Sequence, residues 1–127
     1  MDNETTIPRV TIDVRQGRIR IYKDTLRLLG KPDYIQILVN PTEQLLAIRC
    51  LDHKERQFHK VDWKYLNQGT NSFEIKCLSF ISKFISDFGL EWDCSYRLEG
   101  EWYPRDGVAM FPFSGAKKIQ MSDGEEQ

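Results

Sequence analysis

From Gly17 to Gly30 the chain reads GRIRIYKDTLRLLG, which compresses a strand, a helix of one or two turns and a stop into one short stretch. Ile19 and Ile21 alternate with Arg20 and Tyr22, the period of two that gives a strand one buried face and one open face. Leu26, Leu28 and Leu29 then form an apolar cluster, and Asp24 offers an acceptor where a helix would start. Gly30 suits the left-handed position after a last helical turn, and Pro32 keeps the helix from resuming. The rest of the chain either supports this unit or repeats it.

A chain of 127 residues can bury one real core without staples. Its apolar share of 40% and charged share of 29% are those of an ordinary globular protein, which excludes wholesale disorder. No run of about 18 apolar residues occurs, which excludes a membrane-spanning helix. Residues 1–6 are polar and acidic, unlike a secretory signal, and are expected to be a disordered lead-in. Cys50, Cys77 and Cys94 lack a CxxC pair and are odd in number, which fits free thiols in a reducing cytoplasm.

The net charge of −1 hides an uneven distribution. Between Arg9 and Lys31 seven basic residues (Arg9, Arg15, Arg18, Arg20, Lys23, Arg27, Lys31) stand against Asp13 and Asp24, a local balance of +5 that leaves −6 elsewhere. Clustered Lys and Arg neutralise phosphates and release counterions, so one reading is a nucleic-acid face. The other is a solvated charge run, because the chain as a whole is near neutral.

Along the chain, residues 9–14 alternate Val10, Ile12 and Val14 with polar neighbours and read as a first strand; Gln16-Gly17 makes the turn to the second. Residues 34–39 carry Ile35, Ile37 and Val39 at period two, Asn40-Pro41-Thr42-Glu43 turns, and residues 45–49 complete a hairpin. The segment 50–71 has the weakest pattern: a charged loop at 52–56, a short strand at 57–61 and a helical turn at 62–66. Residues 72–76 alternate as a strand again. Residues 77–88 form the clearest helix, with Cys77, Leu78, Phe80, Ile81, Phe84, Ile85 and Phe88 on one side and Gly89 as its stop. Strands are expected at 93–98 and 108–113, with turns at Glu99-Gly100 and over 104–107, and residues 120–127 read as an acidic, disordered tail. The fold class is strand-rich α+β, in one domain over 7–119.

The order strand, helix, glycine stop, strand, strand occurs twice, over 9–49 and 72–113, joined by 50–71. Either half alone is too small to bury its apolar faces, so a duplicated pair would interlock around one core.

The pattern G-R-[IV]-x-I-x5-R-x-L-G stands here as Gly17, Arg18, Ile19, Ile21, Arg27, Leu29 and Gly30, and the Ile35, Ile37, Leu46, Ile48 hairpin follows it. Over residues 10–49 the chain thereby resembles the AbrB-type swapped-hairpin family of bacterial DNA-binding proteins. That resemblance implies a small barrel built from two copies of the unit, supplied by two chains in AbrB- and MazE-like dimers and by one chain in MraZ-like proteins. It also implies a DNA face with Arg18 and Arg27 at the family's basic positions, to which Arg9, Arg15, Arg20 and Lys23 add charge. Tyr22 stands where the family has proline, and Phe73-Glu74-Ile75-Lys76 replaces Gly-Arg in the second half. A reader of two half-sites needs basic residues from both halves, so a chain with one basic half would need a homodimer.

Cys50, His53, His59 and Cys77 have no metal-site spacing, and no nucleophile motif joins the cysteines to the histidines. Glu99 and Glu101 flank a turn glycine as solvated charge, and no phosphate-cradling glycine loop occurs. No enzyme, metal or cofactor is expected. Trp92, Tyr96, Phe111 and Phe113 are expected to pack on Phe80, Phe84 and Phe88. Trp102 and Tyr103, between Gly100 and Pro104, are expected to be exposed as an anchor for a protein partner or for stacking on bases. Two functions follow. One is a cytoplasmic DNA-binding transcriptional regulator, bacterial or borne by a phage or mobile element, using Arg9, Arg15, Arg18, Arg20, Lys23 and Arg27. The other is a non-enzymatic protein-interaction module, such as an antitoxin or a phage inhibitor.

Overall fold

Strand pairing across long sequence distances organises this chain. The computed structural model describes residues 7–119 except Glu55 and Trp92. The lead-in expected at 1–6, the tail expected at 120–127 and the packing expected of Trp92 lie outside the described residues. One antiparallel sheet has the order β10 (Lys117–Ile119), β7 (Ser95–Glu99), β1 (Arg9–Asp13), β2 (Arg18–Tyr22), β6 (Ser72–Lys76). The other has the order β5 (His59–Lys60), β3 (Tyr34–Asn40), β4 (Leu45–Leu51), β9 (Val108–Pro112), β8 (Glu101–Tyr103). The helices α1 (Lys23–Leu28), α2 (Trp63–Leu66) and α3 (Leu78–Phe88) join strands, and a 3-10 turn spans Phe113–Gly115. The strand-rich α+β class is thus observed. Among the described residues no ladder joins the two sheets, so a closed barrel is not.

The opening stretch folds as its pattern implies. Ile19 and Ile21 are fully buried while Arg18, Arg20 and Tyr22 are half-buried on the other face. Gly30 takes φ +88, and the amides of Gly30 and Lys31 return to the carbonyls of Arg27 and Leu26. Asp24, however, does not cap α1. The Lys23 amide instead donates to the Asn71 carbonyl at 2.8 Å, so the residue just before β6 does the work of a cap. Buried Thr25 ties the helix to β1: its Oγ1 accepts from the Arg9 amide at 2.8 Å and donates to the Arg9 carbonyl at 3.1 Å.

The inner faces of the two sheets meet in one cluster. Val10, Ile12, Ile19 and Leu98 come from one, Ile35, Leu46, Ile48 and Phe111 from the other, and none of these is exposed. α3 closes the cluster, with the Phe84 ring 4.9 Å from Phe80, 5.4 Å from Phe88 and 5.4 Å from Phe113. Phe88 lies 4.3 Å from Phe113, and Tyr96 and Phe111 are buried as expected. Leu78 departs from the expected stripe: at the first turn of α3 it is 70% exposed and rests over Gly17. A Cβ on Gly17 would lie 3.0 Å from Leu78 Cδ1, and its φ of +65 also favours glycine.

The middle segment supplies β5 and then α2, which Asp62 caps through the Tyr65 amide at 3.0 Å. The Trp63 indole donates to the Pro32 carbonyl at 2.8 Å and anchors that helix to the α1 stop. One strand goes unmarked by the sequence, and one expected exposure fails. Residues 117–119 form β10 on β7, a strand too short and too charged to show in the sequence. Trp102 lies in β8 and not in a turn. Its register partner Ala109 is fully buried, so Trp102 faces inward and is half-buried, and only Tyr103 of the pair is exposed.

Phe84→Ala should therefore cost about 3–5 kcal/mol, whereas exposed Ser86→Ala should stay within about 0.5 kcal/mol. Urea denaturation of both variants checks this, and equal midpoints would show that α3 does not depend on its aromatic contacts.

Candidate nucleic-acid interface

Alternation puts the polar residues of the first sheet on one outer face, and register fixes who stands beside whom. One row runs Lys117, Arg97, Thr11, Arg20, Glu74 across all five strands. The next runs Ile119, Ser95, Asp13, Arg18, Lys76. Arg9 stands beside Glu99 at the end of β1, with its guanidinium 5.3 Å from the centre of the Tyr22 ring. Six cations (Arg9, Arg18, Arg20, Lys76, Arg97, Lys117) against three anions (Asp13, Glu74, Glu99) give this face a balance of +3.

The face has a buried floor. Thr11, Asp13 and Ser95 are nearly inaccessible although they point away from the core, with the Tyr22 hydroxyl on Thr11 and Arg18 on Asp13. Thr11 Oγ1 and the Tyr22 hydroxyl lie 2.8 Å apart in a hydrogen bond. The Asp13 carboxylate accepts from Arg18 Nε at 3.1 Å, from the Gln16 amide at 3.3 Å and from Ser95 Oγ at 3.3 Å. Asp13 thus holds the β1–β2 turn, Arg18 and β7 together. Expected to alternate between buried and open, β1 is instead covered on both sides.

Glu74 receives Arg18 Nη1 at 2.8 Å on one oxygen and Arg20 Nε at 3.2 Å on the other. The glutamate that replaces a Gly-Arg in the second half therefore bridges two arginines of the first. It is 37% exposed, so the pairings are solvent-screened and worth little. Arg97 Nε, by contrast, is buried with no hydrogen-bond partner among the described residues.

Of the residues expected to contact DNA, Arg9, Arg18 and Arg20 come together on this face. Lys23 does not: its ammonium donates to the Leu66 carbonyl at 2.8 Å and fixes the end of α2. Arg15 and Arg27 are exposed but lie beyond opposite ends of β2, one in the β1–β2 turn and one on α1. Lys76, Arg97 and Lys117 are the cations that sequence reasoning missed. For Arg97 a signal existed, because Tyr96 and Leu98 alternate inward around it.

The remaining reactive groups form no comparable arrangement. Cys50 donates to the Leu29 carbonyl, and burial pushes its thiol up to about 11. Burial likewise raises the thiols of Cys77 and Cys94, so all three stay protonated at neutral pH. His53 pairs with exposed Asp52, whose carboxyl it holds below the usual range, while His59 is lowered by burial. His59 and Cys77 share an apolar crevice with Ile37, Ile75 and Phe80, whereas Cys50 and His53 line a different hollow. The four residues weighed as metal ligands are thus split between two places. Glu91, Asp93 and Cys94 lie close together, with Lys118 Nζ on Glu91 at 2.6 Å.

Family models, curated proteins and solved structures contain no match to this chain. Among the described residues no helix is long and apolar enough to cross a membrane.

Asp13→Ala should cost about 3 kcal/mol, since it removes a buried acceptor from three donors, the half-buried Arg18 guanidinium among them. Glu74→Ala should cost less than about 1 kcal/mol. Denaturation midpoints of the two variants test the division between a buried structural anion and a screened surface one; equal losses would contradict it.

Proposed function

We propose that the chain is a small DNA-binding regulator of the AbrB-like type that grips duplex DNA with the outer face of the β10-β7-β1-β2-β6 sheet. The observation that carries this reading is the row Lys117–Arg97–Thr11–Arg20, which aligns cations from both halves of the chain although neither half contains the row. Such a row neutralises successive phosphates, and Arg9 and Arg18 extend it. Glu74 is the intramolecular counterion, displaced at little cost because it is solvent-exposed. Arg15 and Arg27 flank the face at its two ends, while Lys23 is assigned a structural role. A homodimer would provide the second face that a two-fold site needs.

The same reading takes the two halves as repeats of a swapped-hairpin barrel. Crosswise pairing supports it. β1 of the first half pairs with β7 of the second, and β5 before the second helix unit pairs with β3 of the first. β2 and β6, and likewise β4 and β9, pair with their counterparts. The amide of Cys77 bonds to the Gly17 carbonyl at 2.9 Å as the amide of Lys23 bonds to that of Asn71, the same contact made from each half.

Fluorescence anisotropy with a mixed-sequence duplex tests the DNA reading. The logarithm of affinity should fall with the logarithm of salt at a slope of about −4. Arg20→Ala with Arg97→Ala should flatten that slope by about 2, and Glu74→Gln should tighten binding. Absence of salt-dependent binding to any duplex would overturn the proposal.

A further inference from the structure

The outer face of the second sheet is unlike that of the first. Antiparallel sheets that turn one face to water usually make it polar, yet here one row runs Leu38, Ala47, Met110, Glu101 and the next runs Gln36, Arg49, Val108, Tyr103. Leu38, Met110 and Tyr103 are about 40% exposed, at 42%, 38% and 39%, and Ile7 is 49% exposed. At one end of this face Ile7, Leu45, Tyr103, Met110 and Pro112 line a groove of about 630 Å³.

Glu99 and Glu101 line the groove on either side of Gly100, and among the described residues no cation lines it. Tyr103 Oη donates to Glu101 Oε1 at 2.7 Å, which holds that carboxylate beside the apolar wall. Gly100 keeps the rim in place: a Cβ there would fall 2.2 Å from the Met110 carbonyl oxygen, so only glycine lets the β7–β8 turn press on β9.

We propose that this groove docks an extended peptide segment of a protein partner with alternating apolar and basic side chains. Each feature selects part of that chemistry. The apolar wall takes alternate side chains of an extended segment lying along it. The two rim carboxylates take Lys or Arg side chains, whose aliphatic stems lie along the same apolar wall. The groove lies mainly on the sheet opposite the cationic face, and Glu99 of β7, which stands beside Arg9, is the residue the two surfaces share.

The test uses the full chain with ¹³C-methyl methionine, in which Met110 is one of three methyl signals and is assigned by Met110→Leu. The probes are a blocked Val-Lys-Val-Lys-Val-Lys peptide and its glutamate counterpart. The lysine peptide should shift the Met110 methyl saturably and bind at least about tenfold more tightly than the glutamate peptide. Glu99→Gln with Glu101→Gln should weaken it about fivefold, the factor that corresponds to about 1 kcal/mol of screened charge pairing. Tyr103→Ser, at an exposed position, should weaken it without unfolding the chain. An unmoved Met110 signal, or equal response to both peptides, would overturn the proposal. So would a Met110 shift on raising protein concentration alone with a doubled sedimentation mass, which would assign the groove to a second copy of the chain.

Discussion

The pairing of β2 with β6 is the contact on which the rest of this structure depends. It sets Ile19 opposite Ile75 and Ile21 opposite Phe73 on the inner side, so that two halves of the chain contribute to one core. Its ends are fastened by backbone hydrogen bonds that each start a helical segment: Cys77 to Gly17 before α3, and Lys23 to Asn71 at α1. The β1–β7 and β4–β9 ladders join the same halves, and without these three pairings each half retains a few short strands with an apolar face and nothing to cover it. Short strands gain little alone, and two-stranded pieces are marginal in water. The same ladder carries the electrostatics, because it brings Glu74 against Arg18 and Arg20.

From that constraint the two sheets acquire opposite outer surfaces. One has a buried carboxylate floor at Asp13 and a cationic surface above it. The other has an apolar row ending in an acidic rim. The charged residues within each face also divide by burial. Asp13, at 2% exposure, is a structural anion, since it ties the β1–β2 turn, Arg18 and β7 together through three accepted hydrogen bonds. Glu74 sits in solvent and can release its arginines to a stronger anion. A phosphate-binding surface whose counterion is exposed keeps its cations ordered without neutralising them for good.

Local features of the fold were legible wherever one residue's own physics decides the outcome. Ile19 and Ile21 had to point one way and Arg18 and Arg20 the other; Gly30 and Gly89 had to end helices because both adopt positive φ. What the sequence did not reveal depends on partners far along the chain. Nothing local says that Arg97 and Lys117 stand in line with Arg20, since that follows from which strand is neighbour to β1. Nothing near Asp24 shows that Asn71 takes over the helix start, and nothing near Trp102 shows that a small residue, Ala109, will face it. Half of the candidate surface was visible as a run of charge near the amino terminus. The cations of Lys76, Arg97 and Lys117 became visible only with the register, and Lys23 left the set once its ammonium was found on the Leu66 carbonyl.

If the β2–β6 ladder joins the halves into one unit, neither half can open without the other. Native-state hydrogen exchange at the amides of Lys23 and Cys77, followed with increasing urea, measures this most directly. The predicted result is one opening free energy and one urea dependence for both amides, equal to those of global unfolding followed by circular dichroism. Distinct free energies for the two amides, with one half opening below the global transition, would contradict it.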